Sequence, residues 1–125
     1  MATNSVAPIN SASEPKGHRC IESHPSVLFP LPAGNYAHVL VKDTTNAPRY
    51  MPGDVLLVNM DVASFMFDGL YAVELNGRQL IRYLRDSGEG LIMFSGSAPH
   101  LGFAAPGDMR VLGLAESAAQ VRRIA

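Results

Sequence analysis

Short apolar runs separated by turn-forming residues dominate the chain from about residue 27 onward. The runs are rich in β-branched and aromatic residues, and Gly, Pro, Asn and Asp bound them, which is typical of β-strands rather than helices. The pattern therefore predicts a mostly β domain. The predicted strands cover residues 36–42, 55–59, 70–75, 78–85, 91–95 and 109–115.

A hairpin is the best-defined unit in this pattern. Only Asn76-Gly77 separates two adjacent apolar runs, and this pair tolerates positive φ at both central positions of a type I′ turn. Counting outward from the turn pairs Tyr71 with Arg82, because each step moves one residue along both strands. Arg82 is then predicted on a mostly apolar face, where its guanidinium either reaches solvent along the apolar wall or meets a partner.

Two other segments of the predicted domain lack a strand pattern. Residues 97–108 contain several prolines and glycines and are predicted to form a long loop. Ser95, Ser97 and His100 lie near its start, but they lack the strand-turn-helix context of a hydrolase nucleophile, so we interpret them as polar loop residues. Residues 116–125 are predicted to form either a short helix or a last strand.

The first part of the chain has no apolar period and is predicted to be a flexible arm over residues 1–26. Such a segment cannot bury enough surface to offset the entropy lost on ordering it. The folded domain is predicted to cover residues 27–125. Four residues of types that bind zinc alternate along the arm, but their spacing is unlike that of structural zinc sites, so we expect no metal. These residues are His18, Cys20, Glu22 and His24.

Length and composition narrow the function further. A chain of 125 residues has room for one hydrophobic core, and its net charge of −1 creates no field that would attract a phosphate backbone. No apolar run approaches the roughly 18 residues of a membrane helix, and no secretory signal is visible. Cys20 is the only cysteine and has no internal disulfide partner. We therefore expect a cytoplasmic protein with no cofactor, no membrane contact and no direct nucleic-acid binding.

The order of these segments resembles the C-terminal domain shared by LexA-like repressors, UmuD-type mutagenesis proteins and lambda-type phage repressors. In that family a strand leads into a serine-containing loop, then a Gly-Asp turn and an apolar strand, and then a hairpin whose second strand carries a lysine. The resemblance implies the LexA-like peptidase fold, with small, strongly bent sheets and a central hairpin at Asn76-Gly77. The similar segments are residues 37–43, 51–59, 67–77, 80–84 and 109–115.

The chemistry of that family depends on a Ser-Lys dyad that cleaves the protein's own N-terminal linker. Here the serine position falls on Thr45, or on Thr44 if the loop is one residue longer, and the lysine position falls on Arg82. Arginine stays protonated and cannot act as the general base. The resemblance therefore implies a catalytically inactive domain. The alternative is a self-cleaving peptidase that uses Thr45 with an unrecognised base.

The resemblance also implies a homodimer and a protein partner, such as a repressor, a RecA filament, a polymerase or the chain's own arm. We expect a dimerisation and protein-binding module in phage or SOS-type regulation. A third hypothesis is an unrelated small β domain, such as an enzyme subunit. The expected cleft or partner-binding residues are Thr44, Thr45, Tyr71 and Arg82. The expected dimer contacts are Val111, Leu112, Leu114 and Val121.

Overall fold

The computed structural model describes residues 21–25 and 29–120. These residues form seven β-strands and no helix, which confirms the prediction of a mostly β protein. No helix in this part of the chain is therefore long and apolar enough to cross a membrane. The strands are β1 (Tyr36–Leu40), β2 (Val55–Asn59), β3 (Gly69–Leu75), β4 (Arg78–Asp86), β5 (Leu91–Ser95), β6 (Ala98–Ala104) and β7 (Arg110–Ala119).

All seven strands belong to one antiparallel sheet with the order β1-β2-β7-β3-β4-β5-β6. Strands β3 to β6 follow one another as a meander, whereas β7 lies between β2 and β3 and pairs with both. The expectation of several small sheets was wrong in this respect. The physical reason is that β7 pairs with β2 on one side and with β3 on the other. It therefore joins β1 and β2 to the meander in one sheet.

The predicted hairpin is confirmed in position and in register. Asn76 and Gly77 both have positive φ, at 54° and 76°, as a type I′ turn requires. Leu75 pairs with Arg78, and Tyr71 pairs with Arg82. The sequence pattern therefore placed the Arg82 side chain on the correct face of β4.

Strand β6 occupies most of the segment predicted to be a long loop, and that prediction was wrong. Residues 98–104 pair with β5 and form one edge of the sheet. An edge strand needs hydrogen bonds on one side only, so Pro99 and Gly102 do not exclude it from the sheet. At the other end of the chain, β7 continues to Ala119, which favours the last-strand interpretation of that segment. Residues 121–125 lie outside the described part of the chain.

The sheet is buried on both faces near its centre. Along β3, Leu70 and Ala72 belong to one hydrophobic cluster, and Tyr71 and Val73 belong to another. Alternate side chains of a strand point to opposite faces, so the two clusters lie on opposite sides of the sheet. We call them the first and the second cluster. Burial on both faces explains why the β3 sequence is a nearly continuous apolar run.

A loop between β2 and β3 covers part of the second cluster. Val62 is a buried member of this cluster, and Phe65 packs against it. The hydroxyl of Tyr71 accepts hydrogen bonds from the amides of Met66 (3.1 Å) and Phe67 (3.2 Å), and donates one to the carbonyl of Phe67 (2.7 Å). One fully buried side chain therefore fixes the loop to the sheet.

Candidate binding groove

Residues 21–25 lie across a groove between β1 and the first half of β4, and we call this segment the docked arm. The amide of His24 donates a hydrogen bond to the carbonyl of His38 on β1 (2.7 Å). The amide of Glu22 donates to Oε1 of Gln79 on β4 (2.7 Å), and Nε2 of Gln79 donates back to the carbonyl of Glu22 (3.1 Å). The docked arm thus connects two strands that are not neighbours in the sheet.

Side chains of the docked arm add one apolar and one charged contact. Ile21 packs against the first cluster. The carboxylate of Glu22 lies 3.4 Å from Nζ of Lys42, with 44% and 68% of the two side chains exposed. An ion pair this open to solvent contributes about 0–1 kcal/mol, so the backbone hydrogen bonds account for much of the attachment.

The docked arm leaves part of the groove unfilled. A cleft of about 150 Å³ lies beside Ser23 and His24, and Val39 and Gln79 form part of its wall. A second, smaller cleft of about 60 Å³ extends to Asn46. The groove therefore has room for side chains larger than those of the docked arm.

The loop that contains Thr44 and Thr45 meets β4 at one end of this groove. Nδ2 of Asn46 donates to the carbonyl of Ile81 (2.9 Å), and Nη1 of Arg82 donates to the same carbonyl (2.8 Å). Thr44 is exposed, and Thr45 is half-buried with its amide donating to Oδ1 of Asp43 (3.1 Å). The structure therefore brings the predicted threonine loop and Arg82 together around one backbone oxygen.

Asn46 holds this loop against two parts of the sheet. Its side chain is buried, and its Oδ1 accepts a hydrogen bond from the amide of Gly96 (2.7 Å) in the turn between β5 and β6. Strand β5 pairs only with the far end of β4, so Ile81 has no strand partner on that side. The amide side chain of Asn46 takes the place of the missing strand.

Arg82 is a half-buried cation on the second face of the sheet. Burial lowers the pKa of its guanidinium below the ordinary value, while nearby Asp43 raises this pKa and Arg78 lowers it. Arginine nevertheless keeps its proton at any accessible pH. Arg82 can therefore supply charge and donate hydrogen bonds, but it cannot accept the proton of a threonine hydroxyl.

Tyr71, a predicted cleft residue, lies in the core instead. Its side chain is completely buried, and its hydroxyl bonds the β2–β3 loop, so it has no surface with which to contact a partner. The prediction that Tyr71 and Arg82 share a face of the sheet is correct. On that face, however, the β2–β3 loop covers Tyr71.

The predicted dimer residues lie on a central strand. Val111 packs against the second cluster, Leu112 packs against the first, and Leu114 is itself a buried member of the second. Both edges of β7 are paired, so these residues offer no free strand edge to a second copy. Val121 lies outside the described residues.

The four arm residues whose types can bind zinc do not come together in a metal site within the described ranges. His18 and Cys20 lie outside them, and residues 21–25 and 29–120 contain no group of three or more His, Cys, Asp or Glu that could hold a metal ion. The carboxylate of Glu22 contacts Lys42 instead. Of the four residues, the structure therefore describes only Glu22 and His24, both in the docked arm.

Sequence reasoning missed three residues that build the groove, namely Gln79, Lys42 and Asn46. For Gln79 there was a usable signal, because alternation along β4 puts it on the same face as Ile81 and Tyr83, where a polar residue needs a partner. Lys42 and Asn46 gave no comparable signal. Their roles depend on contacts with strands far away in the sequence.

No protein-family model matches the chain, and neither a curated protein nor a solved structure shows a significant match. The fold and the groove therefore define a class only in structural terms, as a single-sheet antiparallel β domain that holds an extended segment of its own chain. The LexA-like resemblance rests on its sequence segments.

Proposed function

We propose that this chain is a catalytically inactive LexA-like or UmuD-like domain that acts as a dimerisation and protein-binding module in phage or SOS-type regulation. The observation that carries the proposal is the groove between β1 and β4, which holds the docked arm by its backbone at His38 and Gln79. Backbone hydrogen bonding to an extended segment is a general mode of peptide recognition. A domain that binds its own arm in this way has the means to bind a segment of another protein.

Among the described residues, neither Lys42 nor Arg82 is suited to activate the Thr45 hydroxyl. A lysine acts as a general base only when desolvation leaves it neutral, and the side chain of Lys42 is 68% exposed and paired with Glu22. Arg82 remains a cation. These contacts favour binding over self-cleavage.

The closeness of the Thr45 loop and Arg82 supports the LexA-like part of the proposal. The family resemblance pairs these two positions as its dyad, and here Arg82 and Asn46, the residue after Thr45, both donate to the carbonyl of Ile81. In this proposal the former catalytic centre has become a structural junction at the end of the groove. The protein partner would be a repressor, a RecA filament or a polymerase-like protein, with no direct contact to nucleic acid.

Hydrogen exchange on the full chain tests the binding groove. We expect the amides of Glu22 and His24 to be protected in the wild type, and Gln79→Ala to reduce the protection of Glu22 by about five- to tenfold, since one backbone hydrogen bond is worth about 1 kcal/mol. Gln120→Ala is a matched control, because Gln120 also donates to a backbone carbonyl but at Arg49. Equal protection in wild type and Gln79→Ala would contradict the proposed groove.

Intact mass tests the proposed lack of self-cleavage, and sedimentation tests the proposed dimer. Incubation of the full chain at neutral to alkaline pH, with and without activated RecA filaments, should leave its mass unchanged, and sedimentation should report a dimer. A discrete N-terminal loss that Thr45→Ala abolishes would establish the self-cleaving alternative. A monomer at high micromolar concentration would remove dimerisation from the proposal.

A further inference from the structure

The unfilled part of the groove shows what would bind there better than the docked arm. We infer that the groove is suited to an extended peptide with an acidic side chain at the position of Glu22 and a side chain larger than serine at the position of Ser23. The docked arm is then an exchangeable occupant that such a peptide displaces. This inference rests on the proposed function, because it requires that the groove binds protein segments.

The backbone contacts accept any extended chain. Gln79 bonds both the amide and the carbonyl of Glu22, which is the pattern that a neighbouring strand would make. The contact between His24 and His38 also uses only backbone atoms. Selectivity at this site must therefore come from side chains.

Lys42 supplies selectivity at the first position. Its ammonium group lies 3.4 Å from the carboxylate of Glu22, so it favours an acidic side chain there and disfavours a basic one. Because the pair is largely exposed, its contribution is modest and salt weakens it. An acidic residue is preferred at this position rather than required.

The cleft beside Ser23 supplies selectivity at the second position. It measures about 150 Å³, and Val39 and Leu40 contribute to its wall. Polar residues, among them Lys42 and Gln79, form the rest of this wall, and Ser23 is small and exposed beside it. An unfilled cleft forgoes the contacts that a larger side chain would make. A larger side chain would occupy part of this space.

The contacts that hold the docked arm on Gln79 and Lys42 are also ones that water can replace. Its hydrogen bonds to Gln79 and its ion pair with Lys42 are all exposed to solvent. Water can therefore replace each contact at little cost as the segment leaves. A tethered arm still competes at a high effective concentration, so a trans peptide is best measured against a chain whose own arm is weakened.

Peptide binding by the full chain tests the inference. The probe is a fluorescent synthetic peptide of residues 21–30, and its variants are Ser23→Leu and Glu22→Gln. The protein is the full chain with Glu22→Lys, which places its own arm opposite Lys42 with like charge. Glu89→Lys is the matched control, because Glu89 is exposed in the β4–β5 turn and the net charge changes equally.

We expect the wild-type peptide to bind the Glu22→Lys chain more tightly than either the wild type or the Glu89→Lys control. The Ser23→Leu peptide should bind about two- to threefold more tightly than the wild-type peptide, because its larger side chain makes contacts in the cleft. The Glu22→Gln peptide should bind about two- to fivefold more weakly, and this difference should shrink at high salt.

The failures are distinguishable. Equal affinity for all three peptides would overturn the inferred selectivity and leave the protein-binding proposal intact. A second outcome is that no peptide binds although the amide of Glu22 is protected from exchange in the wild-type chain. This outcome would show that the docked arm stays bound in the groove and would overturn the inferred exchange. Neither peptide binding nor protection of Glu22 would overturn the proposed function itself.

Discussion

The two faces of the sheet are closed in different ways, although β3 contributes to both. On the second face, the β2–β3 loop is held by the completely buried hydroxyl of Tyr71. On the first face, the docked arm is held at its edge by the half-buried Gln79 and the exposed Lys42, through hydrogen bonds that are open to solvent. A buried polar contact is costly to break, whereas an exposed one exchanges with water. The comparison teaches that the contact closing the second face is the costlier one to break, whereas the contacts at the edge of the first face are open to water.

Two tyrosines show the same contrast in their surroundings. Tyr71 has no exposed surface and three backbone partners for its hydroxyl. Tyr83 is only half-buried, and its ring stacks on that of Phe94 with centroids 5.2 Å apart and an angle of 11°. Tyr71 fixes the β2–β3 loop through the hydrogen bonds of its hydroxyl, whereas Tyr83 contributes mainly through ring stacking.

The largest effect is expected from Gly113→Ala, which would damage both faces together. Gly113 lies on β7 between β2 and β3, and an added Cβ would overlap Cγ1 of Val58 and lie 2.9 Å from the carbonyl oxygen of Asn59. Overpacking against backbone atoms costs about 3 kcal/mol of the free energy of unfolding, the upper end of the usual range. Urea denaturation measures it, with Gly107→Ala as control because its added Cβ meets nothing within 4 Å. Equal midpoints for the two variants would show that β7 tolerates displacement.

An intermediate effect is expected from Tyr71→Phe, confined to the second face. Removing the hydroxyl leaves the amides of Met66 and Phe67 without this acceptor, which costs about 1–3 kcal/mol. Hydrogen exchange should speed up at these two amides and remain unchanged at Glu22. Tyr36→Phe is the control, since its hydroxyl contacts the exposed Glu116. Faster exchange at Glu22 as well would mean that the two faces are coupled.

The smallest effect is expected at alkaline pH and comes partly from the first face. Burial, followed by the neighbouring Tyr50, raises the pKa of Tyr83 above its ordinary value of 10.0, although Arg49 opposes the shift. The folded chain then holds the phenol proton more tightly than the unfolded chain does. This stability is fully present below pH 10 and is lost as pH rises through the raised pKa.

Urea midpoints between pH 8 and 11 measure this dependence, and Tyr83→Phe should make it shallower. Tyr36 also has a raised pKa, through its hydrogen bond to Glu116, so Tyr36→Phe must be compared in parallel. An unchanged slope in Tyr83→Phe would assign the alkaline loss to other groups.

Local pattern was enough to predict the elements whose determinants are local. The Asn76-Gly77 turn specifies its own hairpin, and the hairpin then specifies which residue faces Tyr71. The same reasoning failed for β6, because Pro99 and Gly102 break a central strand but not an edge strand, and sequence alone does not say which strand is at an edge.

The groove was less predictable than the fold. The positions of Thr45 and Arg82 came from a resemblance, and the structure places their segments together. The contact between Glu22 and Gln79 joins residues 57 apart in the chain, and no local pattern encodes such a pairing. The side chains that complete the site were therefore visible only in three dimensions.

The position of β7 also constrains how the protein is made. Among the described residues it is the last strand in chain order, yet it fills the gap between β2 and β3. During synthesis the β1–β2 hairpin and the β3–β6 meander therefore share no backbone ladder until residues 110–119 have left the ribosome. A nascent chain stalled before that point presents two open strand edges to its neighbours. The ribosome must release nearly the whole domain before the sheet can close.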